Sequence, residues 1–185
     1  MITEDNEMRR SATVLFACAL AFCGLAGCQS KSSISTAKVT MQDGASYEDA
    51  LKECFDAMHT SGGGGIFYAY MFPDEAVKAI KDSGKYDDLV QTFNESQEKS
   101  FALEESVYTF GSVTSSQELT DEQRSGIKRY FVNLCDPYIK MTEKEFDIKE
   151  GYELTFDYLR NGEKGGEESV IVLRLNDEGW KIITQ

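Results

Sequence analysis

The hydrophobic period of this chain changes at Asp136-Pro137, and nothing else in the sequence constrains its fold as much. Before that point apolar residues recur at helical spacing. Tyr47, Leu51, Cys54, Phe55 and Met58 share one face of a helix predicted over about Tyr47 to Met58, capped by Ser46 with Asp49 three residues on. Tyr86, Leu89, Val90 and Phe93 stand at i, i+3, i+4 and i+7 of a helix running to about Ala102. Ile127, Tyr130, Phe131 and Leu134 line a third, which Thr120 caps and Gln123 completes. Between the first two, Ser61 to Gly65 breaks the chain. Ile66 to Phe72 is then expected to be extended and largely buried, and Pro73 to open a short helix through Lys81. A strand is expected over about Glu105 to Thr114. After Pro137 the period is two: Tyr152, Leu154, Phe156 and Tyr158 alternate with Glu153, Thr155 and Asp157, which gives that strand one wet face. Asn161 to Gly166 reads as a turn-rich loop, and Val170 to Leu175 as a central strand, apolar on both faces. Asn176 to Gly179 turns the chain into a last strand, Trp180 to Thr184. Helices first and an antiparallel meander of about four strands last define an α+β class, with the sheet packed on helices.

The N-terminal segment has a different logic. Arg9 and Arg10 precede a fourteen-residue apolar run, Ala12 to Leu25, which is the length of a secretory hydrophobic region. A membrane-spanning helix needs about 20 such residues. The run closes on Leu25-Ala26-Gly27-Cys28, after which the chain turns polar. That junction resembles the lipobox of bacterial lipoproteins. The resemblance implies diacylglycerol on the Cys28 sulfur, palmitate-type acyl chains, and cleavage before Cys28. Glu4, Asp5 and Glu7 sit ahead of the arginines, where a positive flank is expected, so Met8 is an alternative start to Met1. Residues 1–27 are thus read as a lipoprotein signal peptide and 28–45 as the lipidated Cys with a flexible Ser/Thr-rich tether, its sixteen residues from Gln29 to Gly44 spanning roughly 20–25 Å. Residues 46–185 are read as a single α+β domain.

From Cys28 onward the chain has 29 acidic and 17 basic residues, a formal charge of −12. That sign argues against nucleic acid as a partner, because binding it requires a basic surface to displace counterions. It also opposes adsorption to anionic lipid, which leaves the lipid on Cys28 to hold the domain at the membrane. Each buried methylene contributes about 0.8 kcal/mol, so two or three chains hold where one does not. Of the five cysteines, Cys18 and Cys23 fall in the signal segment and Cys28 is the lipid site. Cys54 and Cys135 remain, on apolar helix stripes. They are either a disulfide closing a long loop, adding on the order of 4 kcal/mol, or two buried thiols acting as small core residues.

The order of elements, from the lipobox through the Phe72-Pro73 step to a meander closing on Gly179-Trp180-Lys181-Ile182, resembles small Gram-positive lipoproteins with an NTF2-like or cystatin-like domain. That resemblance implies a curved sheet wrapped on helices, often with a conical pocket between them. It implies no particular activity, because the scaffold carries enzymes, binding modules and interaction domains alike.

Catalytic signatures are sparse. His59, the single histidine, has Met58 and Thr60 as neighbours and reads as a partly exposed cap of the first helix. Gly62 to Gly65 lacks the following Lys-Ser/Thr of a phosphate loop. Asp87-Asp88, Glu104-Glu105 and Glu167-Glu168 have no calcium-loop spacing and read as solvated acids. No cofactor or metal motif is present. Tyr68, Tyr70, Tyr108, Phe110, Tyr130, Phe156, Tyr158 and Trp180 fall on apolar faces that either converge on a pocket or form ordinary core. Six of them, Tyr68, Tyr108, Phe110, Tyr130, Phe156 and Trp180, are the candidate pocket lining. The chain therefore reads as a membrane-tethered, extracytoplasmic binding or interaction module with a protein, cell-wall or small-molecule partner. The alternatives are an enzyme pairing a pocket carboxylate with a Tyr, and an accessory subunit of a transporter or envelope complex.

Overall fold

The structure is a computed structural model and describes residues 45–184. The signal segment, the lipobox with Cys28, Cys18, Cys23 and the tether through Gly44 lie outside the described residues.

The first helix, α1 (Tyr47–Met58), begins where the sequence places it. Ser46 Oγ accepts the Asp49 N–H at 3.1 Å and the Asp49 carboxylate accepts the Ser46 N–H at 3.1 Å, so two orphan donors are satisfied reciprocally. The Ser46 bonds also hold the Asp49 carboxyl below the usual carboxylate range. The aromatic run does not extend as expected. It forms a second helix, α2 (Gly64–Met71), with Phe67 and Tyr70 buried and Tyr68 and Met71 half-buried. A seven-residue run that is apolar on every side has no period to read. Its glycines have a packing role instead: a Cβ on Gly63 would lie 1.7 Å from the Ala57 carbonyl oxygen, and the Gly64 N–H donates to Asn94 Oδ1 at 2.9 Å. Close approach to α1 sets this turn, and only glycine permits it.

Pro73 is the N-cap of α3 (Asp74–Asp82), one position before its expected place, and α4 (Tyr86–Glu104) follows. The first strand, β1 (Tyr108–Glu118), is shifted about three residues C-terminal of the expected one. Glu105, in the left-handed region at φ 48°, ends α4 and delays it. Then comes α5 (Asp121–Cys135), whose Thr120–Gln123 capping box is present. A 3-10 turn at Glu143–Glu145 leads to β2 (Ile148–Arg160), β3 (Glu163–Leu175) and β4 (Trp180–Thr184).

The four strands form one antiparallel sheet in the order β1-β2-β3-β4. The expected loop at 161–166 contracts to two residues. Asn161 (φ 55°) and Gly162 (φ 82°) are both left-handed, the requirement of a type I′ hairpin turn, so pairing continues to Arg160↔Glu163. Gly165 and Gly166 become strand residues beneath the Tyr158 ring.

Register assigns the faces. Leu154, Val170, Val172 and Ile182 share one face, which α1 covers through Phe55, whose ring meets Phe156 at 5.7 Å. Leu173, Leu175 and Ile183 point the other way, into a core with Ala76 and Ile80 of α3 and Ile127, Phe131 and Cys135 of α5. The β3–β4 end of the sheet is thus covered on both faces, and β3 is the central strand expected. The wet face is confined to the β1–β2 end, where Thr155 and Asp157 are half-exposed and Ser115 and Ser169 exposed.

Candidate functional site

The six candidate lining residues do not share one place. Tyr108, Phe110 and Phe156 come together on the α1 face of the sheet. Phe110 stacks on Phe156 at 5.4 Å, both meet Phe55, and Tyr108 lies 5.9 Å from Tyr158. Trp180 packs elsewhere, against Tyr47 at 6.0 Å, and its indole N–H donates to the Ala45 carbonyl at 2.8 Å. Tyr68 joins Phe67, Phe72 and Phe93, and Tyr130 packs edge-on to Phe131. These contacts have the tilted, stacked and edge-to-face geometries of packed aromatics.

His59 is the C-cap of α1 and lies half-buried between the Phe55 ring at 4.2 Å and the Tyr108 ring at 4.8 Å. Its Nδ1 is 2.8 Å from the Phe55 carbonyl oxygen, which only accepts, so Nδ1 carries the proton. Burial lowers the imidazole pKa, against smaller raising effects from the Phe55 carbonyl bond and then from Asp56 and Glu104. Glu168, expected to be solvated with its neighbour Glu167, is half-buried instead. It pairs with Phe156 in register and so lies on the face of Tyr158 and Phe110. Burial raises its carboxyl pKa, and burial together with the Glu168 charge raises that of the Tyr158 hydroxyl. Strict alternation separates the twin glutamates, one inward and one outward.

Cys54 and Cys135 are both free and buried, and burial pushes each thiol up to about 12. Thiols that far above neutral pH are not nucleophiles.

Lys181, in the Gly-Trp-Lys-Ile ending, is fully buried. Its ammonium donates to the Ala69 carbonyl at 3.1 Å and to Asp74 Oδ1 at 2.8 Å, and stands 3.4 Å from Glu178 Oε2. Glu178 also accepts the Asp74 N–H at 2.8 Å, at the start of α3. The end of α2, the start of α3 and the β3–β4 hairpin therefore meet on one cation. Its three donors face three acceptors, so burial leaves no orphan group.

A surface cleft of about 430 Å3 opens where α5 meets the 3-10 turn and the start of β2. Arg124 forms its rigid part. Nε donates to Leu119 O at 3.2 Å, Nη1 to Ile148 O at 3.0 Å, and Nη2 to Glu118 at 3.2 Å. Asp121, Ser125 and Lys128 line it from α5, and Glu143 and Lys144 from the turn. The sequence carries no motif for this site. Its residues come from two segments with fourteen residues between them, and a charged helix face ordinarily reads as solvated. The one available signal is the polar stripe Asp121, Ser125, Lys128 at i, i+4 and i+7 of α5.

Among the described residues, no group of three or more His, Cys, Asp or Glu side chains is placed to hold a metal ion, and no helix is long and apolar enough to cross a membrane. Comparison with protein-family models, curated proteins and solved structures finds no match to this chain.

Proposed function

We propose that this protein is a lipid-tethered, extracytoplasmic binding or interaction module, with an NTF2-like or cystatin-like variant of the α+β fold. The observation that carries the reading is the Arg9-Arg10, apolar run and Leu25-Ala26-Gly27-Cys28 succession. The acidity of the remaining chain supports it, since a domain repelled by anionic lipid needs a covalent anchor. The cleft beside α5 supports the binding role, because its volume lies within the roughly 300–1,000 Å3 of ligand sites. Fractionation of cells expressing the wild-type chain and Cys28→Ser tests the tether. The wild type is expected with the membrane and the variant released from it; equal distribution of the two contradicts the proposal.

Glu168 beside Tyr158 favours a second reading, an enzyme with a carboxylate base and a Tyr acid. Turnover of a wall, peptide or ester substrate that is lost in Glu168→Gln would establish it. Substrate turnover unchanged in that variant would remove it.

A further inference from the structure

The cleft beside α5 holds charges of both signs that do not neutralise each other. Asp121 and Glu143 share it with Lys128 and Lys144, yet among the described residues no hydrogen bond or ion pair engages any of these four side chains. Other lysines do pair with carboxylates, as in Lys52–Asp56, Lys78–Asp82 and Lys140–Asp136. Arg124, only 17% exposed in its side chain, is fixed by two carbonyls and Glu118, and of its five N–H donors two remain unspent. Ile148, a buried residue at the start of β2, also lines the cleft.

The charges are also separated along the helix. Asp121 and Lys128 are seven residues apart on α5, about 10 Å at 1.5 Å per residue. An extended peptide of three residues has nearly the same length, at about 3.3–3.6 Å per residue. We infer that this cleft binds a short zwitterionic peptide of about three small residues. Its ammonium would lie toward Asp121 and its carboxylate toward Lys128, with Glu143 and Lys144 adding charge of each sign from the turn. The inference rests on the binding-module reading and gives it a ligand class.

Calorimetric titration of the full-length purified protein tests it with four probes: trialanine, N-acetyl-trialanine, trialanine amide and inorganic phosphate. Saturable binding of trialanine is expected, with both blocked peptides at least tenfold weaker. Lys128→Ala/Lys144→Ala and Asp121→Asn/Glu143→Gln should each weaken trialanine at least tenfold. Asp121, Glu143 and Lys144 are exposed, Lys128 is half-buried, and none of the four holds a structural bond, so an unchanged circular dichroism spectrum is expected for both variants. Phosphate binding as tightly as trialanine would mark a plain anion site and overturn the inference. So would trialanine binding that ignores both double variants, or no binding by any probe. The titration reads the cleft whichever cell fraction yields the protein. Failure here therefore leaves the tether standing, and failure of the fractionation leaves this result standing.

Discussion

Removing the Lys181 side chain is the sharpest perturbation of the fold. Lys181→Ala leaves the Ala69 carbonyl and Glu178, which is only 14% exposed, without their shared donor, and empties a fully buried site. Breaking a buried pair by removing one partner costs about 3–5 kcal/mol. Asp74 is 65% exposed, so its share is screened by water and falls at the small end of ion-pair values. The cost should therefore come mainly from Ala69 and Glu178, and we expect about 3–4 kcal/mol in all. At about 3–5 °C per kcal/mol for a domain of this size, the melting temperature should drop by roughly 10–20 °C. Asp74→Asn should cost under about 1 kcal/mol. Urea titration of both variants against wild type, followed by circular dichroism, measures these differences. A Lys181→Ala cost below about 1 kcal/mol, or an Asp74→Asn cost equal to it, would refute the reasoning that this buried cation ties three elements together.

Other expectations follow from single contacts. Because burial holds the His59 pKa below its ordinary 6.5, the unfolded chain takes up the proton first. Stability should be full above pH 6.5 and fall as pH drops through that value toward the folded pKa. His59→Gln should flatten this part of a pH series of urea melts, and an unchanged slope would contradict it. Gly165→Ala would place a Cβ 2.4 Å from Tyr158 Cε2 and should destabilise by about 1–3 kcal/mol. Gly126→Ala meets nothing within 4 Å in α5 and should stabilise by about 0.5–1 kcal/mol, so thermal melts of the two variants should move in opposite directions. Cys54 and Cys135 should resist a thiol reagent in the native protein and both react in denaturant; native labelling of either would contradict the burial described.

What the sequence reveals depends on how local each cause is. The capping boxes at Ser46 and Thr120 are legible because their partners lie three residues away. The α+β class is legible because a change of period spans dozens of residues. The α2 helix is not, because its conformation depends on Gly63 meeting Ala57 rather than on any pattern in Ile66 to Met71. The Asn161-Gly162 turn is hidden by Gly165 and Gly166, which imitate loop residues while serving to admit the Tyr158 ring. Lys181 looks like the outward residue between Trp180 and Ile182. It is buried because α2 and α3 close the second face of β4, a tertiary fact. The aromatics are individually identifiable as inward, but alternation alone does not tell that Trp180 and Tyr68 have other ring partners than Phe110 has. The cleft beside α5 exists only once Glu143 and Lys144 are brought to Asp121 and Lys128.

In the function we propose, Cys28 becomes the lipidated first residue of the mature protein. Mass spectrometry of the N-terminal peptide from membrane-extracted protein tests it most directly. A peptide beginning at Cys28, with diacylglycerol in thioether linkage, is the expected result. A mature chain that retains residues before Cys28, or a Cys28 that alkylates as a free thiol, would rule out the lipid anchor.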